Sequence, residues 1–333
     1  MSAQTKPTTT NLNFIGFVSR FREAGIGFFI LALVFLITLR SPAFLTLDNF
    51  NDILLNISIL SIVALAQTMV IITHGIDLSV SSIIGLVAMM VAFTVKLNPD
   101  FPIAATLVLG MILGGALGSF NGVVISYGNV PPIIATLGTL SIYRGMVFFY
   151  SQGAWVNPID LPASFKMLSK GTPLGLPNMV IIAIVFAILI FYFLNYTRTG
   201  RDIYAVGSNP DAAQMAGIRK QRIIFLVYLL SGVASGLAAV LWASRFESAQ
   251  TNTALGFELQ TVAASVVGGV SVSGGVGTVP GALLGVLLLG IIENSLPLVK
   301  ISPFWQLAAQ GLLILIAVVT DNLILRGVQR SKK

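Results

Sequence analysis

Apolar residues in this chain come in runs, not stripes. Stretches without Asp, Glu, Lys or Arg cover Ala24–Leu39, Ile53–Ile76, Leu78–Val95, Phe101–Tyr143, Gly171–Tyr196, Ile223–Ser244, Leu259–Ile292 and Ile301–Thr320. A helix needs about 20 mostly apolar residues to cross the hydrocarbon core of a bilayer. Two of the runs are long enough to cross twice: Phe101–Tyr143 is broken at Pro131-Pro132, and Leu259–Ile292 at the glycine-rich Gly268–Gly281. The pattern predicts an all-α polytopic membrane protein of about ten spans, at 24–40, 53–73, 79–96, 102–127, 133–151, 178–196, 223–243, 259–273, 279–297 and 304–321. Barrel strands are short and alternate in polarity, so solid apolar runs argue against a β-barrel.

Composition agrees. The chain is 56% hydrophobic and 9% charged, against about 25% charged residues in a soluble domain. Lipid is therefore the solvent for most of it. A polar tail at 1–23 leads into a transmembrane domain at 24–321, and a second tail occupies 322–333. No small-x-small pattern follows Leu39, so the first apolar run reads as a retained span. The net charge of +7 comes without a dense basic block interleaved with aromatics, which argues against a nucleic-acid partner. The basic residues mark topology instead. Twelve of nineteen fall on the faces read as inside, six on the outside loops, and Arg144 within a span. That bias places both termini in the cytoplasm. Cysteine is absent, which removes disulfides, thiolate metal sites and Cys nucleophiles.

One stretch does not belong in lipid. Thr197–Arg222 reads TRTGRDIYAVGSNPDAAQMAGIRKQR, with five basic and two acidic residues between two uncharged runs. Its lysine and arginine excess makes it a cytoplasmic loop. Gly200-Arg201-Asp202 reads as a turn. Asn209 is a natural N-cap with Pro210 at the first helical position, and Gly217 ends the short helix between them. Its small face of Ala212, Ala213 and Ala216 suits a groove on another protein; an ordinary interfacial helix is the alternative.

An energy source is missing. There is no GxxxxGK[ST] phosphate loop, no GxSxG elbow, and His74 has no His or Cys companions for a metal site. The ionisable groups in or beside spans are Asp77, Arg144, Glu293 and Asp321. Asp77, in HGIDLS, has two readings: a cap for the following helix together with Ser79, or a group that couples transport to an ion. Glu293 is open between a pore-lining and an interhelical role. The glycines at 110, 114 and 118, at 232 and 236, and at 277, 281 and 285 have the spacing that lets helix backbones approach closely. Residues 72–85 (ITHGIDLSVSSIIG) and 266–281 (VVGGVSVSGGVGTVPG) resemble each other, as the broken helices of two-part transporters do, or as glycine- and serine-rich segments do by chance.

Four motifs in order carry a family resemblance across residues 40–320: HGIDLSVSS, NGVVISYGNVPPIIATLGTLSIYRG, GRDIYAVGSNPDAAQMAGI and ELQTVAASVVGGVSVSGGVGTVPGALLG. SPAFLTLDNF stands at the outer end of the first span. The chain resembles the permease subunits of sugar ABC importers, the branch with ribose, xylose, rhamnose and autoinducer-2 permeases. IATLGTLSIYRGM leans toward the autoinducer-2 and rhamnose members. Ser81 departs from a position where the family more often has Gly. The resemblance implies a fold of the vitamin B12-type (type II) importer permeases in a bacterial inner membrane. It implies a second permease subunit, identical or similar, two ATP-binding subunits that hold ATP and Mg, and a periplasmic sugar-binding protein. No cofactor or metal is expected on this chain, and it is expected to be a transporter subunit, not an enzyme. The family motif puts ATPase coupling on Gly200, Arg201, Tyr204, Gly207, Asn209, Ala212, Ala213 and Gly217, and a structural motif on Gly75, Asp77 and Ser79. Asn121, Thr136, Thr139 and Asn294 are polar positions in spans, open to a pathway role or to interhelical hydrogen bonding. Asp48, Asp52, Glu247 and Glu258 are expected to face the binding protein. A self-sufficient ion-coupled carrier is the alternative function.

Overall fold

In a computed structural model the described residues run from 10 to 302, apart from 174, and include six positions between 305 and 319. The tail at 322–333, most of the span expected at 304–321 and residues 1–9 lie outside them. Twelve helices are described: α1 (Thr10–Arg40), α2 (Leu47–Ile72), α3 (Val80–Leu97), α4 (Ile103–Ser126), α5 (Pro132–Ser151), α6 (Ala163–Lys170), α7 (Asn178–Tyr196), α8 (Arg198–Ser208), α9 (Pro210–Met215), α10 (Lys220–Phe246), α11 (Phe257–Val267) and α12 (Val279–Leu298). Among the described residues, eight are long and apolar enough to cross a membrane: α1 to α5, α7, α10 and α12.

Their ends follow local chemistry. The Thr46, Thr197, Asn209 and Thr278 side chains each accept a backbone N–H from the first turn of α2, α8, α9 and α12. Proline stands in the first turn of α5, α9 and α12, where its missing N–H leaves no bond unmade.

The three most buried spans, α2, α3 and α10, form the centre. α4 lies along α10 through facing glycines. A Cβ on Gly114 would overlap the Gly232 carbonyl, and one on Gly118 would come within 2.7 Å of the Gly232 Cα. Gly110 meets Gly236 the same way. α1 packs on the rim, sharing a smaller cluster of Ile30, Ile37, Phe44, Ile53, Leu288 and Ile291 with α2 and α12. Phe28, Leu31, Ile112, Ile188 and Leu189 point outward, as lipid-facing side chains do.

Two expectations change. The span expected at 259–273 is α11, which is eleven residues, or about 16 Å, too short to cross. The glycine-rich segment Gly268–Thr278 that follows is non-helical. The expected turn at Gly200–Asp202 is helical, so the polar island carries two helices and not one. The outer loop at 152–177 contains a short 3-10 turn at Pro158–Asp160 and α6.

Candidate functional site

Two non-helical breaks, Thr73–Ser79 and Gly268–Thr278, meet at one end of the bundle. The Gly275 N–H donates to the Ile72 carbonyl at 2.9 Å. The His74 ring lies against Gly274, within 2.7 Å of where a Cβ would stand. About two turns along α2, the Ser265 hydroxyl of α11 donates to the Ala64 carbonyl at 3.0 Å. The two segments that resemble each other in sequence are therefore neighbours in space.

α8 is seated on both. Thr197 turns the chain out of α7: its hydroxyl donates to the Phe193 carbonyl at 2.6 Å and accepts the Gly200 N–H at 3.0 Å. Gly200 is buried, and a Cβ there would overlap the Phe193 and Leu194 carbonyls. At the other end of α8, a Cβ on Gly207 would overlap the carbonyl of Ile72, the last residue of α2 before the first break, and come within 2.8 Å of the Gly275 nitrogen of the second. The Tyr204 hydroxyl donates to the Gly277 carbonyl at 2.8 Å, and burial pushes its pKa up to about 12.

The eight residues assigned to this region thus divide. Gly200, Gly207 and Ala213 are buried against their own chain, and Tyr204 is half-buried. Arg201, Asn209, Ala212 and Gly217 are exposed. Asn209 caps α9 by accepting the N–H groups of Asp211 and Ala212. Gly217 has φ +82, the left-handed conformation glycine adopts without strain. Sequence reading missed Met215, 91% exposed at the end of α9. Its signal was a flexible, polarisable side chain inside an otherwise polar island.

The first break is held by a buried polar network. The Asp77 carboxylate accepts the Ser79 N–H at 3.0 Å and hydroxyl at 2.6 Å, and the Ser231 hydroxyl of α10 at 2.8 Å. The Gln67 amide, in the orientation that satisfies both its ends, accepts the Asp77 N–H at 3.1 Å and donates to its carbonyl at 3.3 Å. Asn121 donates to the Ser79 hydroxyl at 2.7 Å, and Thr136 to the Ile76 carbonyl at 3.2 Å. Asp77 therefore fixes Ser79, the residue before α3, and also ties it to α10. Gly75 is required by close approach, since a Cβ there would stand 2.5 Å from the Tyr228 hydroxyl. Ser81, the departure from the family pattern, is fully buried, and its hydroxyl has no partner.

Of the four polar span positions, Asn121 and Thr136 brace this break, and Thr139 donates to the Thr136 carbonyl within its own helix. All three are buried; Asn121 and Thr136 bond across elements, whereas the Thr139 bond stays within α5. Asn294 is half-buried beside Glu293, whose carboxylate accepts the Gln260 amide at 2.7 Å. At the far end, Asp48 and Asp52 are exposed. Glu247 is instead engaged by Lys170 and by Lys166 at 3.3 Å, and these ammonium groups hold its carboxyl below the usual range. One Glu258 carboxylate oxygen is buried. Neither glutamate is as free as the sequence suggests.

The arrangement joins an exposed helix pair, through glycine contacts with no room for slack, to two breaks inside a membrane bundle. The family described as "Branched-chain amino acid transport system / permease component" matches residues 49–318. The ribose import permease protein of Escherichia coli (strain K12) is 37% identical over 295 residues, 88% of this chain and 91% of the relative. That of Bacillus subtilis (strain 168) is 38% identical over 297 residues, 89% and 91%. The galactose/methyl galactoside import permease protein of Escherichia coli (strain K12) is 35% identical over 327 residues, 94% and 97%. No solved structure matches the chain. A match that spans both breaks, α8, α9 and seven of the eight candidate membrane helices makes this chain a member of that permease family.

Proposed function

We propose that the chain is the membrane-spanning permease subunit of an ATP-binding cassette importer for a monosaccharide, multi-pass in a bacterial inner membrane with both termini cytoplasmic. The observation that carries this is the seating of α8: Gly207 touches the end of α2, where the first break starts, and Gly275 of the second, so displacement of the exposed α8–α9 pair bears on both. A chain with no phosphate-binding loop needs its energy from outside, and an exposed, capped helix pair is where a separate ATP-hydrolysing subunit would push. Arg201, Asn209, Ala212, Met215 and Gly217 form the contact face. Gly200, Tyr204, Gly207 and Ala213 pass the displacement inward. The working assembly is two permease chains, two ATP-binding subunits and a periplasmic binding protein, with a vitamin B12-type arrangement of spans.

The relatives' ribose and galactose make these the first sugars to test; rhamnose and autoinducer-2 follow. The test is uptake of labelled sugar into proteoliposomes holding the chain with its ATPase and binding protein. Uptake is expected only with ATP and all components. Gradient-driven uptake by the chain alone would instead establish the ion-coupled carrier.

A further inference from the structure

Between α10 and α11 the chain does something a span boundary does not require. It leaves α10 at Phe246 and is pinned at the far end, where Ala249 and Val156 exchange N–H to carbonyl bonds at 3.0 and 3.1 Å. It then descends. The Thr253 carbonyl lies 3.2 Å from where a Cβ on Gly85 would stand. The depth of Gly85 can be read from α4. Ser79 bonds Asn121, five residues from the inner end of α4, and Gly85 is six residues further along α3. At 1.5 Å per residue, Gly85 sits about 16 Å up a helix about 36 Å long. The loop therefore reaches the middle of the bundle.

It reaches there without helical hydrogen bonding. Gln250–Gly256 closes on itself in tight turns: Thr253 N–H to the Gln250 carbonyl, and Leu255 N–H to the Asn252 carbonyl, both at 3.1 Å. Ala254 and Gly256 have φ +58 and +83. Arg144 of α5 holds this shape. Its Nη1 donates to the Thr253 carbonyl at 2.8 Å and the Thr251 carbonyl at 3.3 Å, with Gly85 leaving the space for it. Its Nε and Nη2 are buried and unpartnered.

Non-helical backbone at membrane depth is tolerated only where protein buries it or it lines a water-filled cavity. Asn252 is exposed, and beside Arg144 on α5 so are Ser141 and Gly145, the latter with open space where a Cβ would be. An amide turned to lipid at this depth has nothing to bond. We infer that Gln250–Gly256 is a re-entrant wall of the translocation pathway, with Asn252 offering its amide to the hydroxyls of a passing sugar and Arg144 as the positioning residue that holds the wall. The sugar in this inference rests on the proposed function; the aqueous wall does not.

The absence of native cysteine makes the test direct. Asn252→Cys, Leu255→Cys and the lipid-facing control Leu189→Cys are each exposed to a charged, membrane-impermeant methanethiosulfonate in vesicles holding the assembled transporter. Asn252→Cys is expected to react at least about tenfold faster than Leu189→Cys, and its modification to abolish uptake. Adding Arg144→Gln is expected to change the labelling rate at 252 by about threefold or more at unchanged assembly, with Arg144→Lys restoring part of it. Should Asn252→Cys fail to assemble, Leu255→Cys carries the same reading. Labelling no faster than at Leu189, as a second protein surface covering the loop would give, overturns the inference. So does complete labelling with uptake intact. Because labelling needs only water at residue 252, a failure of every sugar tried leaves this result standing.

Discussion

The two breaks do the same job with opposite chemistry. Thr73–Ser79 is fixed by side chains: one carboxylate gathers Ser79 and Ser231, while Gln67, Asn121 and Thr136 brace its backbone and cap. Gly268–Thr278 is fixed by backbone: Gly269, Gly274 and Gly275 take positive φ, Gly281 stacks on the Gly268 carbonyl, and Gly275 reaches Ile72. A side-chain network specifies one geometry, because each unpaired buried group costs free energy. A glycine segment gives way more readily. The first break is the fixed jaw and the second the compliant one, with α8 bearing on both.

That contrast can be broken in order of effect. Asp77→Ala strands the Ser79 and Ser231 hydroxyls in the bundle and should destabilise by about 2–4 kcal/mol, read as a lower unfolding temperature in detergent. Asp77→Asn should recover part of it. Gly207→Val drives a side chain into both jaws; overpacking of this kind costs about 1–3 kcal/mol. Its sharper signature is sugar-stimulated ATP hydrolysis falling to background in the assembled complex while the ATPase still co-purifies; unchanged stimulation would remove α8 from the transmission path. Gly275→Ala, at φ +72, should cost about 1–2 kcal/mol and slow uptake more than it lowers stability. Thr278→Ala removes the cap at the exit of the compliant jaw and should cost about 1 kcal/mol by thermal unfolding.

The smallest effect lies away from both jaws. Lys166 and Lys170 depress the Glu247 pKa below its ordinary 4.5. Their contribution is therefore complete above that value and is lost as pH falls through the lower folded pKa. For a partly exposed cluster it is worth under about 1 kcal/mol. Acid unfolding of Glu247→Gln should lack this step.

The spans were legible because lipid enforces long apolar runs, and the Asn209 cap because Pro210 follows it; the Thr46, Thr197 and Thr278 caps emerge only with the helix boundaries. The likeness of 72–85 to 266–281 was also legible, but their contact was not, since nothing local encodes which segments meet across 200 residues of chain. Asp77 could be read as a cap from Leu78-Ser79, whereas its bond to Ser231 depends on where α10 lies. The re-entrant loop stayed hidden for a different reason. Leu259–Ile292 is apolar enough for two crossings, so hydropathy marks a span where α11 covers only half the depth, and the carbonyl partners of Arg144 depend on where that loop lies.

The glycine seam between α4 and α10 has a mechanical consequence. Side chains that interlock can slip to a neighbouring notch; two backbones in direct contact cannot, because a shift by one residue brings Val233 or Leu117 into the seam. The pair therefore turns as one beam. α10 is 27 residues, about 40 Å, with α9 at one tip and the root of the re-entrant loop at the other. A torque applied at α9 has a stiff shaft on which to arrive at the root of the re-entrant loop.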